Sequence, residues 1–267
     1  MSLKPGRLLP LMVNSGNLQM AIDEWLLSHY NPEQWSMVLR FYHWQPAALS
    51  LGYGQRRWPD HWQTLTWQDR PLPLIRRPTG GRGVLHHGDL CYALVTAPLP
   101  KGKPNRPETY CNLCRFLQQG WESLGFPLRY GNDRPGRLAQ QQTANCFALK
   151  TSADLQLSNG CKWIGSAQRW RSGNPEVVLQ HGSMRLSPDP ELWQLVFGSP
   201  LSPLPEEIVV PSPETIVSTL IEAASDCFQI PWILEPLSDQ EWNSIHRLVQ
   251  SRLEAEASPH DTKIHYR

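Results

Sequence analysis

The sequence predicts an α/β protein on three observations: two amphipathic helical stripes, extended segments flanking a glycine-rich loop, and a hairpin-linked run of alternating residues. Its 267 residues correspond, at about 150 per domain, to one large domain or two small ones. We expect one catalytic domain over 1–267, with about 205–267 as a helical extension packed on it. Hydrophobic residues make up 40% of the chain and charged ones 18%, with 12 tryptophans, a composition too apolar and aromatic for disorder. No repeat of fixed period and no block of like charge occurs, which excludes solenoids and coiled coils.

After Asn17, a suitable N-cap, Leu18, Ala21, Ile22, Trp25 and Leu26 form a helical stripe, with Asp23 and Glu24 expected to face outward. Met37, Leu39 and Phe41 alternate with Val38, Arg40 and Tyr42 as in a strand, and 48–52 follow as a second. Leu72 to Arg77 and Leu90 to Ala97 are strand-like on either side of the glycine loop 78–83. Pro107 and Glu108 suit a helix start, and Tyr110, Leu113, Cys114, Leu117, Trp121 and Leu124 carry its stripe to Gly125, placed for a left-handed cap. Residues 131–143 are polar and proline-broken, a loop. Residues 154–158 alternate, Asn159-Gly160 is a preferred two-residue hairpin turn, and 162–170 and 177–186 complete a three-stranded antiparallel meander. Two helices are expected around Ile216 to Ala224 and Trp242 to Val249, followed by a polar tail from Ser251.

The charge balance is near neutral, 25 basic against 24 acidic residues, and requires neither a nucleic acid nor a membrane as partner. No run of 18 apolar residues and no signal peptide is found, so a cytoplasmic protein is expected. The six cysteines, at 91, 111, 114, 146, 161 and 227, are then reduced thiols and not a disulfide framework.

The glycine loop, Arg76-Arg77-Pro78-Thr79-Gly80-Gly81-Arg82-Gly83, lets backbone N–H groups approach a ligand closely, and suits a carboxylate, a phosphate or a thioester carbonyl. It equally suits a tight turn. It matches neither a dinucleotide fingerprint nor a Walker loop. His86 and His87 point to opposite faces if extended, so no metal site is expected. Cys111 and Cys114 lack a second ligand pair and fall on a helix, where they read as core or inert thiols. Cys146 with Lys162 suits a thiol activated by a cation. The alternatives are a buried small hydrophobe beside Phe147 and a solvated strand end.

Several segments together resemble the lipoate and octanoate branch of the biotin/lipoate protein ligase family. They are Asn17 to Glu24, Leu39 to Tyr42 with Leu49 to Gln55, Arg76 to His87, Gly160 to Gln168, and Leu179 to Ser183. Ala144-Asn145-Cys146-Phe147 looks like the acyl-cysteine position of that family's octanoyltransferases. The resemblance implies a class II aminoacyl-tRNA synthetase/biotin synthetase-like α/β (α+β) fold, a mixed sheet with flanking helices. It also implies Cys146 and Lys162 as catalytic residues and an acyl site lined by Arg77, Thr79, Gly80, Gly81, His86, Gly165, Ser166, Ala167 and His181.

A thioester donor suits a cysteine nucleophile, because it is already activated, whereas a free acid needs ATP. The expected function is therefore transfer of octanoyl from acyl carrier protein, through a Cys146 thioester, to a lysine of lipoyl domains, including glycine cleavage H protein. No cofactor is expected. Lys162 would hold the carbonyl, and backbone N–H groups near a turn at Gly165 to Ala167 would help bind the oxyanion. Arg56, Arg57, Arg76, Arg82, Arg169 and Arg171 include candidates for docking an acidic carrier. The alternatives are an ATP- and Mg2+-dependent lipoate–protein ligase, or an amidotransferase between lipoyl domains.

Overall fold

A computed structural model describes residues 4–98, 105–131, 154–204 and 209–257. The chain opens with short strands β1 (Gly6–Leu8) and β2 (Met12–Asn14), and α1 (Gly16–His29) follows with Ser15, and not the expected Asn17, as its extended N-cap. β3 (Met37–Trp44) pairs parallel with both opening strands. β4 (Ala48–Leu51), the β5 (Thr66–Trp67) and β6 (Arg70–Pro71) hairpin, β7 (Leu74–Arg76) and β8 (Val84–His86) lead to β9 (Asp89–Thr96). α2 (Arg106–Ser123) and β10 (Arg129–Tyr130) follow, then the meander β11 (Leu155–Gln156), β12 (Lys162–Arg171) and β13 (Val177–Arg185). α3 (Pro190–Phe197), α4 (Pro213–Phe228), β14 (Trp232–Leu234) and α5 (Asp239–Ala257) complete the described chain.

Nine strands form one mixed sheet in the order β10-β11-β12-β13-β9-β3-β1-β14, with β2 added on β3, and β7-β4-β8 form a second, smaller sheet. Every residue of β9 is buried, which an alternating strand achieves only when both faces are covered. Leu90, Tyr92 and Leu94 enter one core with Leu113, Phe116, Leu117 and Trp121 of α2 and Ile216, Leu220 and Ala224 of α4. Cys91, Ala93 and Val95 enter the other with Met20, Ala21, Ile22 and Leu26 of α1 and Ile245 of α5. The result is helices, sheet, helices, with a third core of Leu49, Trp62, Leu85 and Trp193 under the small sheet. Gly120 permits the close approach of α2 to α4, because a Cβ there would stand 2.6 Å from Leu220 Cδ2.

Several expectations are corrected. Asp23 is completely buried, because α1 lies on the sheet and polar groups from two strands reach its carboxylate, and Glu24 is half-buried, its Oε1 accepting from Arg252 Nη1. At the meander turn Gly160 N–H donates to Leu157 O at 2.8 Å and Leu157 N–H to Cys161 O at 2.9 Å. Only Gly160 has a positive φ there, +78°, so the hairpin is a longer, bulged turn and not a two-residue primed one. Gly165 to Ala167 lie inside β12, in register with Ser183 to His181 of β13, and form no turn. The C-terminal region is not purely helical: β14 pairs parallel with β1. The helix continues past Ser251, as far as Ala257. Gly125, by contrast, takes the expected left-handed conformation at φ +87°.

Candidate active site

The loop between β7 and β8 is built around Arg77, which is buried. Its Nη1 donates to Ser50 O at 3.0 Å and Ser50 Oγ at 3.1 Å. Nε and Nη2 donate to Gly80 O at 3.2 and 2.8 Å, and Nη2 also to Arg82 O at 2.8 Å. A fork of donors aimed at carbonyls converts a flexible glycine segment into a fixed one. Gly81 has a φ of +102°, and a Cβ on Gly52 would meet Gly81 O at 1.9 Å, so both positions need glycine. Gly80 is exposed, and its hypothetical Cβ has nothing within 4 Å. The loop therefore has an open outer side and a tightly bonded inner side.

Two buried histidines support that inner side. His181 on β13 contacts Thr79 Oγ1 through Nε2 at 2.6 Å and Asp23 Oδ2 through Nδ1 at 2.7 Å. Asp23 also accepts from Arg40 Nη1 at 2.9 Å and Tyr42 OH at 3.1 Å. His86 contacts Asp89 Oδ2 through Nδ1 at 2.8 Å and Ser50 Oγ through Nε2 at 2.9 Å, and stacks on Trp44 at 3.8 Å. Asp89 Oδ2 also accepts from Ser183 Oγ at 2.7 Å and Cys91 Sγ at 3.2 Å. Burial works to raise the Asp89 pKa, but the His86 charge and these hydrogen bonds overcome it and hold the carboxyl below its ordinary value. His86, Asp89 and Cys91 present ligand atoms within 4.8 Å of one another, and in this structure they are joined by hydrogen bonds.

Lys162, at the start of β12, is buried, and its Nζ lies 2.9 Å from Asp154 Oδ1. Its side chain folds over Gly165, where a Cβ would stand 3.1 Å from Cε and 3.4 Å from Nζ. Beyond it Ser166 Oγ meets Tyr92 OH at 2.7 Å, and Tyr110 OH donates to Ser166 O at 3.2 Å. Burial pushes both tyrosine hydroxyls well above their ordinary pKa, which keeps them protonated donors. Ala167 lies opposite His181, so the lysine strand and the strand under the glycine loop are hydrogen-bonded neighbours.

The structure thus brings Gly165, Ser166, Ala167 and His181 onto two paired strands, and joins Thr79 to them. His86 reaches Arg77 through Ser50, on the inner side of the loop. Cys146 and all but the first residue of 131–143 lie outside the described residues. Of the arginines considered for docking a carrier, Arg56 and Arg57 are exposed. Arg76 donates from Nη1 to the carbonyls of Gly52, Tyr53 and Gln55 at 2.8, 3.2 and 3.0 Å, and Arg171 Nε to Leu27 O at 3.0 Å. Arg169 lies over the Tyr53 ring at 4.8 Å. The carboxylates Asp23, Asp89 and Asp154 were not among the residues expected at the site. Asp23 lies within a motif block of the resemblance, whereas Asp154 carries no local signal, since its partner is eight residues away across a turn.

The chain belongs to the lipoyl protein ligase A/B catalytic domain family, whose model matches residues 15–225. Octanoyltransferase LipM of Moorella thermoacetica is 37% identical over 184 residues, 68% of this chain and 65% of that protein. LipM of Geobacillus kaustophilus is 30% identical over 261 residues, 89% and 91% of the two chains. The fold matches that of a T. acidophilum protein, Ta0514, solved with bound lipoic acid, at a TM-score of 0.74 and 20% identity, covering 92% of this chain and 95% of that one. Lipoate-protein ligase A bound with ATP gives 0.72 at 20% identity, covering 92% and 94%. No helix among the described residues is long and apolar enough to cross a membrane.

Proposed function

We propose that this chain is an octanoyltransferase of protein lipoylation, which takes an octanoyl group from acyl carrier protein and passes it to a lysine of a lipoyl domain or of glycine cleavage H protein. The observation that carries the reading is the Lys162–Asp154 pair, buried and folded over Gly165, on the chain segment that follows Cys146. The octanoyltransferase relatives support it from outside the structure.

The Cys146 thiolate attacks the thioester carbonyl of the donor. The tetrahedral intermediate expels the carrier's thiolate, which takes up a proton, and an octanoyl thioester remains on Cys146. The acceptor's neutral amine then attacks that carbonyl, loses a proton, and expels the Cys146 thiolate as the amide forms. Both steps place negative charge on one carbonyl oxygen, and an ammonium held in place before the reaction stabilises that charge without reorganisation. Lys162 fills this role, with Asp154 fixing its Nζ. Thr79, Gly80 and Gly81 line the acyl side, and Gly165, Ser166 and Ala167 form its floor. The donor is already activated, so the scheme uses no nucleotide.

The test is the intact mass of the full chain after incubation with octanoyl-loaded acyl carrier protein, without ATP. The expected result is one octanoyl adduct, mapped to Cys146, that is lost when an apo lipoyl domain is added and gained by that domain. Modification of the lipoyl domain only when ATP and free acid are supplied, with no adduct on Cys146, would overturn the proposal in favour of a ligase.

A further inference from the structure

We infer that Asp23, buried under α1, is a positioning residue for this acyl transfer: through His181 and Thr79 it fixes the posture of the glycine loop. The inference rests on the function proposed above and extends it to a residue that touches no substrate.

One carboxylate oxygen of Asp23 is taken by Arg40, and the other accepts from Tyr42 and from His181 Nδ1 at 2.7 Å. In the neutral imidazole an acceptor at Nδ1 places the single ring proton there, which leaves Nε2 as a bare lone pair. Thr79 Oγ1, 2.6 Å from that lone pair, is therefore the donor. Thr79 stands between Arg77 and the exposed Gly80, and its own carbonyl accepts from Tyr53 N–H at 2.8 Å. The direction of the whole chain is set by the charge on Asp23, some distance below the loop.

A second relay also starts from a buried carboxylate. Asp89 orients His86, whose Nε2 meets Ser50 Oγ, and Ser50 receives Arg77, the clamp on Gly80 O and Arg82 O. Thr79 and Arg77 are thus held from beneath by separate carboxylates, while the loop's outer side is open. Glycines have no side chains to hold their backbone, so a loop that lines the acyl side needs such support to keep its posture. A misplacement of about 1 Å in such a loop can cost about 100-fold in rate.

The experiment compares Thr79→Val, Thr79→Ser and Asp23→Asn in the full chain. Imidazole nitrogen NMR is expected to show His181 protonated at Nδ1 in the wild type and shifted towards Nε2 protonation in Asp23→Asn. Thr79→Val, which keeps shape and loses the hydroxyl, is expected to lower kcat by up to about 100-fold with KM within about twofold. It should also speed amide exchange across residues 79–83, and Thr79→Ser should restore both. A folded Thr79→Val enzyme with wild-type kcat and wild-type loop protection would overturn the inference. If Asp23→Asn fails to fold, the Thr79 pair still decides. If the wild type transfers no octanoyl group, the functional reading fails separately, and the tautomer and exchange measurements still test the relay.

Discussion

Lys162 occupies the space that a side chain on Gly165 would need: a Cβ there would stand 3.1 Å from Cε and 3.4 Å from Nζ. Such contacts are tight enough to move the lysine by a few tenths of an ångström, and Asp154, 2.9 Å from Nζ, resists the movement. Gly165→Ala should therefore lower octanoyl transfer by about tenfold while the thermal midpoint changes little, since small misplacements of reacting groups are costly in rate. Steady-state transfer rates beside a thermal melt check it. An alanine variant with wild-type kcat would show that the Lys162 position is not critical.

Gly182, directly across from Ser166, gives the opposite pattern. A Cβ there would meet Gly165 O at 2.5 Å, Tyr92 Cε1 at 2.7 Å and Ser166 Oγ at 2.8 Å. Two of these neighbours are fixed by strand pairing and core packing, so the strain falls on the fold. Gly182→Ala should destabilise the protein by about 3 kcal/mol or more, at the upper end of the range for overpacked sites. Urea unfolding would read this as a lower midpoint, and an unchanged midpoint would contradict it.

The contrast between these two glycines also shows what the sequence could reveal. The helical stripe of α1, the alternation in β3, the strand-like segment of β9 and the glycine loop are local patterns found where they were expected, whereas α1 is capped at Ser15 and not Asn17, and the lysine hairpin closes through a longer turn than the expected two-residue one. Asp23 could not be read the same way, because a carboxylate beside an apolar stripe ordinarily faces water. It is buried only because Arg40 and Tyr42 on β3 and His181 on β13 reach it, and those partners are remote in sequence. Lys162 was open between a catalytic group and a solvated strand end, and its burial depends on Asp154 across a turn of irregular register. β14 is a three-residue strand whose pairing with β1 leaves no periodic signal.

The thiols should divide by environment. Cys91 and Cys114 are buried and Cys111 is exposed. Burial pushes the Cys114 thiol up to about 12 and the Cys91 thiol well above its ordinary value, the latter aided by the neighbouring Asp89 charge. Only the thiolate reacts, so iodoacetamide should label Cys111 in the native protein and leave Cys91 and Cys114 unlabelled until denaturant is added. Peptide mapping after a short native pulse measures this. Cys114→Ser should retain transfer and Cys146→Ser should abolish it. Full activity in Cys146→Ser would end the covalent scheme.

The tie between the first strand and the last helix should be sensitive to acid. Arg7 Nη1 and Nη2 donate to Glu241 Oε1 and Oε2 at 2.7 and 2.9 Å, fastening β1 to α5. Burial works to raise the Glu241 pKa, but the Arg7 hydrogen bonds, the Ser238 N–H and the Arg7 charge outweigh it and hold the carboxyl below its ordinary value of 4.5. A depressed folded-state pKa adds stability that is fully present above the unfolded pKa and is lost as pH falls through the folded one. Glu241→Gln should therefore lower the urea midpoint near pH 7, and the gap from wild type should close as the pH drops below about 4. Arg7 is buried, so the variant leaves its guanidinium with Glu235, 3.4 Å from Nε, as the remaining carboxylate at neutral pH, which is where the difference should be largest. A gap that stayed constant from pH 7 to pH 3 would mean that the pair contributes by packing and not by charge.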